Sequence, residues 1–318
     1  MRISQPPPFF RQQGFSLIEM MISLVLGGLI IAAVGTVYLG SRQSFRTQDS
    51  LARMQEGARY AFETMSVDLR QVGFGCASVN TDPVDATWYN NLFKRPLLGY
   101  ESGAGLPGSV TGELANTDAI MVLRADKSRE SQLASPTTTV AAHGVSAGGR
   151  VVITEAYSDA TVYTASAASG TSVTLNAGSA LPCKPGAPVV ANTNFLMLPL
   201  SGHIYYLKNN AAGEPSLYRE TLRADGSTEA QELVEGVEDM QITYGEDTTQ
   251  VASPECPDDN CSANTIPYIA ASAVTNWNRV VSVRITLNMR SPETGVGTEG
   301  DTRLHKPFTT TIAVRNRL

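Results

Sequence analysis

The sequence predicts an α+β protein in which one long N-terminal helix, membrane-spanning in its first half, packs on a mainly antiparallel β-rich head. Three observations carry this. A charge-free apolar run, Met20–Ser41, lies between Glu19 and Arg42. An amphipathic stripe follows it without a break, and from Gly75 onward short β-type runs alternate with turn residues. At 318 residues the chain can bury a sizeable core or form two modest domains. With 24 basic against 30 acidic side chains and a net charge of -6, it lacks the basic footprint of a general nucleic-acid binder. At 42% hydrophobic and 17% charged it is too apolar for a disordered chain.

Met20–Ser41 numbers 22 residues. That is about 33 Å as a helix at ~1.5 Å per residue, which matches a hydrocarbon layer of roughly 30 Å. A secretory signal peptide, with Arg2 and Arg11 as its positive end, has a shorter apolar region that finishes in small residues. Here the run continues into Arg42 and a helical pattern, so it reads as a retained span. Arg42 and Arg46 balance Arg2 and Arg11, so flanking charge alone does not orient it. The cysteines and the long polar β-rich portion favour an exported body and a cytoplasmic N-terminus. Glu19, at the edge of the run, is costly in hydrocarbon. Read from the residues alone, it sits at headgroup level, where the helix N-terminus favours an anion.

Leu51, Met54, Ala58, Ala61, Met65, Leu69 and Val72 recur at steps of three and four, the buried stripe of a helix. No proline occurs between Pro8 and Pro83, and Gly73 is a natural stop, so one helix is expected from Phe15 to Val72. Expected strands are Ala119–Arg124, Arg150–Glu155, Ser172–Leu175, Phe195–Leu198, His203–Leu207, Ser216–Thr221, Met240–Tyr244, Val280–Arg290 and Phe308–Arg315. The alternation of Val281, Val283, Ile285 and Leu287 with polar neighbours marks a half-buried strand. The Ala/Ser/Thr/Gly-rich stretch Ser131–Ala180 is weakly patterned and is expected to hold long surface loops.

Several motifs invite chemistry. Gly144-Val-Ser-Ala-Gly148 matches G-x-S-x-G, and a hydrolase using Ser146 would need a strand before the serine and a helix after it. An expected strand, Arg150–Glu155, follows instead, which favours a Gly/Ser loop. Gly103–Gly108 and Gly295–Gly300 match G-x-G-x-x-G but lead into no helix, so both read as turns. His143, His203 and His305 lack metal-ligand spacing and read as sheet or surface residues. Cys256 and Cys261 favour a local disulfide in an exported head, leaving Cys76 and Cys183 to pair across the fold, although four cysteines permit three connectivities. Glu246, Asp247, Glu255, Asp258 and Asp259 form an acidic stretch whose oxygen ligands suit calcium, but the spacing fits no EF-hand and a solvated acidic loop is the expectation. No cofactor is expected.

The string Gly14-Phe15-Ser16-Leu17-Ile18-Glu19, followed by the apolar run, resembles the prepilin signal of type IV pilins and type II secretion pseudopilins. The resemblance implies cleavage by a prepilin peptidase between Gly14 and Phe15, N-methylation of Phe15, and neutralisation of its amine by Glu19 during filament assembly. Leu233–Gly245, Arg279–Leu287, Asp68–Phe74 and Phe308–Asn316 resemble PilW-type minor pilins; J-type minor pseudopilins share the architecture and are the nearest rival. The resemblance implies a structural, non-enzymatic protein divided into a leader (1–14), a transmembrane half-helix (15–41), an amphipathic half-helix (42–74) and a head (75–318). It also implies residence in the inner membrane and then in a pilus at the cell surface. The partners implied are other minor pilins, the major pilin, the peptidase and the pilus assembly platform.

Overall fold

The computed structural model describes residues 14, 16–75, 95–108, 110–135, 138–139, 145–155, 159–170, 172–182, 195–222, 227–247, 267–297 and 300–314. It has the α+β architecture that the sequence predicts: one long helix on antiparallel sheets. Helix α1 spans Leu17–Arg70 without interruption. Its large apolar side chains from Leu17 to Leu39 are exposed, whereas Met54, Ala58, Ala61, Met65 and Leu69 are buried on the head. The helix stops two residues before the expected Val72. Gln71 and Val72 turn their N–H groups back to the carbonyls of Asp68 and Leu69. Gly73, at φ +72°, then swings the chain away, and its N–H donates to the Leu123 carbonyl at 2.9 Å.

Fourteen strands follow among the described residues. They are β1 (Leu97–Tyr100), β2 (Ala119–Ala125), β3 (Ser131–Ser135), β4 (Thr138–Thr139), β5 (Arg150–Glu155), β6 (Asp159–Ser169) and β7 (Ser172–Pro182). Then come β8 (Leu196–Asn209), β9 (Pro215–Leu222), β10 (Thr228–Glu235), β11 (Val237–Glu246), β12 (Tyr268–Ile269), β13 (Val280–Arg290) and β14 (His305–Ala313). Every pairing is antiparallel. A second sheet has the order β12-β11-β13-β14. In the first sheet β8 is the trunk: its C-terminal part lies between β2 and β9, with β1 beyond β2 and β10 beyond β9. The expected strands Phe195–Leu198 and His203–Leu207 are therefore one continuous element.

The stretch 131–180 is not a set of long loops. Strands β3 to β7 occupy most of it, and with the start of β8 they close a ring, β8-β3-β4-β7-β6-β5 and back to β8. This small barrel has its own core of Leu133, Val151, Ile153, Tyr163, Val173 and Met197. The sequence marks β5 and the first part of β7 as strands, whereas β3, β4 and β6 escape the pattern because few large apolar residues mark them. Alanine, serine and threonine lie between them, and Ala165 fills an inward position beside Tyr163.

One core joins α1, the first sheet and the second sheet. The two sheets meet at Gly236, at φ +80° between β10 and β11. Its N–H donates to the Pro215 carbonyl of β9 and its carbonyl accepts from Arg290 of β13, both at 2.8 Å. A methyl group there would lie 2.7 Å from the Arg290 oxygen, so the junction requires glycine.

Candidate functional site

Helix α1 has three zones along its length. The first runs from Leu17 to about Leu39. It is long and apolar enough to cross a membrane and is not buried by any other part of the described residues. Two hydroxyls within it are satisfied locally: Ser23 Oγ donates to the Glu19 carbonyl at 2.7 Å and Thr36 Oγ1 to that of Ala33 at 2.8 Å. Ser16 opens the helix with its carbonyl accepting from the N–H groups of Glu19 and Met20, both at 3.1 Å. Glu19 stands exposed in the first turn, where the free N–H groups of the helix end favour an anion. Gly14 is exposed, and Phe15 lies outside the described residues.

In the second zone, just past the apolar run, the β13–β14 loop lies along α1. Gln43 Nε2 donates to the Gly295 carbonyl at 2.5 Å and Thr47 Oγ1 to that of Val296 at 3.3 Å. Ser50 Oγ donates to Glu293 at 3.0 Å. The head thus reaches down almost to the end of the apolar segment. Behind the loop, Glu214 receives Arg290 at 2.6 Å and Arg303 at 3.1 Å, and these guanidiniums hold its carboxyl below the usual carboxylate range. His305 lies between Glu238 at 2.7 Å and Asp301 at 3.0 Å, and hydrogen bonds to those carboxylates raise its pKa.

The third zone is the last turn of α1. Asp68, only 4% exposed, occupies the buried stripe between Met65 and Val72. The Tyr205 hydroxyl of β8 donates to Asp68 Oδ2 at 2.5 Å, Arg124 of β2 approaches Oδ1 at 3.6 Å and His203 Nε2 lies 3.7 Å from Oδ2. Burial and the neighbouring carboxylate push the tyrosine hydroxyl well above its usual pKa, so it remains a donor. Burial lowers the pKa of His203. A carboxylate in this place fixes the helix end to the first sheet. Sequence reasoning did not assign it a role; the available signal was an acid at a stripe position.

The other candidates separate. Ser146 sits in an exposed turn, its carbonyl accepting from Gly149 N–H, and β5 follows, so the strand–serine–helix turn of a nucleophile elbow is not formed. The described histidines are engaged elsewhere, His203 beside Asp68 and His305 with Glu238 and Asp301. Glu246, expected in a solvated acidic loop, is instead 3% exposed. It accepts hydrogen bonds from Thr275 and from the backbone N–H of Asn276. Glu255, Asp258, Asp259, His143 and all four cysteines, Cys76, Cys183, Cys256 and Cys261, lie outside the described residues.

Residues 204–316 match the family described as Type IV Pilus-assembly protein W. Residues 9–35 match the family described as Prokaryotic N-terminal methylation motif. The first match begins within β8 and takes in β9 to β14; most of the barrel precedes it. The second covers Gly14, Glu19 and the start of α1. Together they support a PilW-type minor pilin. No curated protein and no solved structure matches the chain.

Proposed function

We propose that this PilW-type minor pilin is a structural subunit that takes part in initiating a type IV pilus. It is inserted in the inner membrane with its N-terminus cytoplasmic and its head periplasmic. The observation that carries the reading is the methylation motif running without a break into an exposed apolar helix. A prepilin peptidase cuts between Gly14 and Phe15, since glycine offers no side chain to obstruct it, and Phe15 is then N-methylated. In a filament the apolar half-helix passes from lipid into contact with the helices of other minor pilins and the major pilin. Glu19, without a described partner in the single chain, neutralises the Phe15 amine there. An unpaired charge at low dielectric costs on the order of several kcal/mol, which makes this pairing a condition for packing. In the exported head the cysteines are oxidised as Cys256–Cys261 and Cys76–Cys183. Mass spectrometry of the membrane-extracted protein should find N-methylated Phe15 at the start of the chain. Glu19→Ala should leave insertion and cleavage intact while lowering incorporation into filaments. An uncleaved chain in a peptidase-competent cell would sink the proposal, and wild-type incorporation of Glu19→Ala would remove the pairing role.

A further inference from the structure

Strand β14 is the nine-residue edge of the second sheet. Val314 N–H donates to the Val281 carbonyl at 2.9 Å, and the register between β13 and β14 is continuous from His305 to Ala313. The even-numbered residues therefore bond to β13, and Thr309, Thr311 and Ala313 turn their backbone N–H and C=O groups to the open side. No described residue pairs with them. Pro307 falls on the same open side, so its missing N–H costs β13 nothing.

Beside this edge runs a groove of about 730 Å³ between β14 and α1. Ala58 and Phe62 of the helix and Phe308 and Ile312 of the strand supply its apolar lining, and on the helix side two cations, Arg59 and Arg70, outnumber one carboxylate, Glu63. No residue of β13 lines it, so it lies beyond β14, under the place a fifth strand would take. Such a strand would lie about 4.8 Å from β14 and point every second side chain into the groove. Neither Arg59 nor Arg70 has an ion-pair partner among the described residues.

We propose that the open edge of β14 and this groove form a strand-addition site. It takes an extended segment of a partner protein with apolar side chains at alternate positions and an acidic residue opposite Arg59 or Arg70. Main-chain bonds to Thr309, Thr311 and Ala313 supply affinity, and the groove and the two arginines supply selectivity.

The full chain in detergent would be titrated with labelled peptides of about nine residues that alternate valine with threonine and carry one terminal aspartate or lysine. The aspartate peptides should bind more tightly and slow amide exchange at Thr309, Thr311 and Ala313. Thr311→Pro, which removes an outward N–H and no ladder bond, should weaken binding about tenfold or more. Arg59→Glu, an exposed change that leaves the strand intact, should reverse the preference between aspartate and lysine peptides. Three results would overturn the proposal. One is that no peptide binds, or that binding is indifferent to both substitutions. Another is that edge amides are already as protected as those of β13 in the free chain, which would mean a segment of the same chain covers them. The last is self-association abolished by Thr311→Pro, which would assign the edge to a second copy.

Discussion

Asp68 shows how much one side chain decides. A carboxylate at 4% exposure survives only because donors surround it, and the Tyr205 hydroxyl at 2.5 Å is the nearest. Tyr205→Phe keeps the ring in the core and strips that donor. It should lower the stability of the detergent-solubilised chain by about 1–3 kcal/mol, read as a shift in the urea midpoint. A second residue-scale prediction concerns His305, whose pKa Glu238 and Asp301 raise above the usual 6.5. A raised value means the folded state binds the proton more tightly than the unfolded chain. The stabilisation is therefore complete below pH 6.5 and is lost as pH climbs through the folded-state value. The stability gap between wild type and His305→Gln should shrink as pH rises from about 6.5 through the folded-state value; a gap that widens would contradict the assignment.

At the scale of elements, α1 is the shared cover of both sheets, and Gly236 is the hinge at which they join. Two hydrogen bonds at 2.8 Å, one to each sheet, leave its backbone no freedom to relax. Gly236→Ala places a methyl group at positive φ against the Arg290 carbonyl. It should destabilise the head by about 1–3 kcal/mol and speed amide exchange along β10 and β11 together. Exchange confined to the turn itself would show that the sheets are held by other contacts. The exposed apolar half of α1 has the opposite character. Unburied by any other described residue, it depends on lipid or on other helices for burial.

The whole molecule is a helix whose second half carries two joined sheets and an inserted barrel that closes on β8. A filament shaft repeats one helix packing at every subunit, so each addition to the head must clear its neighbours. A barrel is a rigid addition and is hard to tile, but at a filament tip one side is open. We expect this subunit at a small fraction of the major pilin in sheared pili, measured by quantitative proteomics. Deleting its gene should reduce surface pili and leave the major subunit in the membrane pool. Equal abundance of the two would overturn the tip position.

The α+β class, the uninterrupted helix, its buried stripe and its exposed apolar half were all legible in the residues. Helical period, the absence of proline and the length of an apolar run are local properties that tertiary contacts did not override. The prepilin string was legible for the same reason, since six consecutive residues before an apolar helix need no folding to be seen. Strand β13 was clear because large apolar residues alternate along it. The barrel was hidden although β5 and the starts of β7 and β8 were expected as strands. The reason is that β6 is mostly alanine, serine and threonine, which carry little periodic signal, and that closure depends on pairings between distant segments. Asp68 and Glu246 looked like ordinary acids, and only the folded chain brings Tyr205, 137 positions away, and Thr275, 29 positions away, against them. The open edge of β14 was equally invisible beforehand, because which strand ends a sheet depends on pairings between segments far apart in sequence.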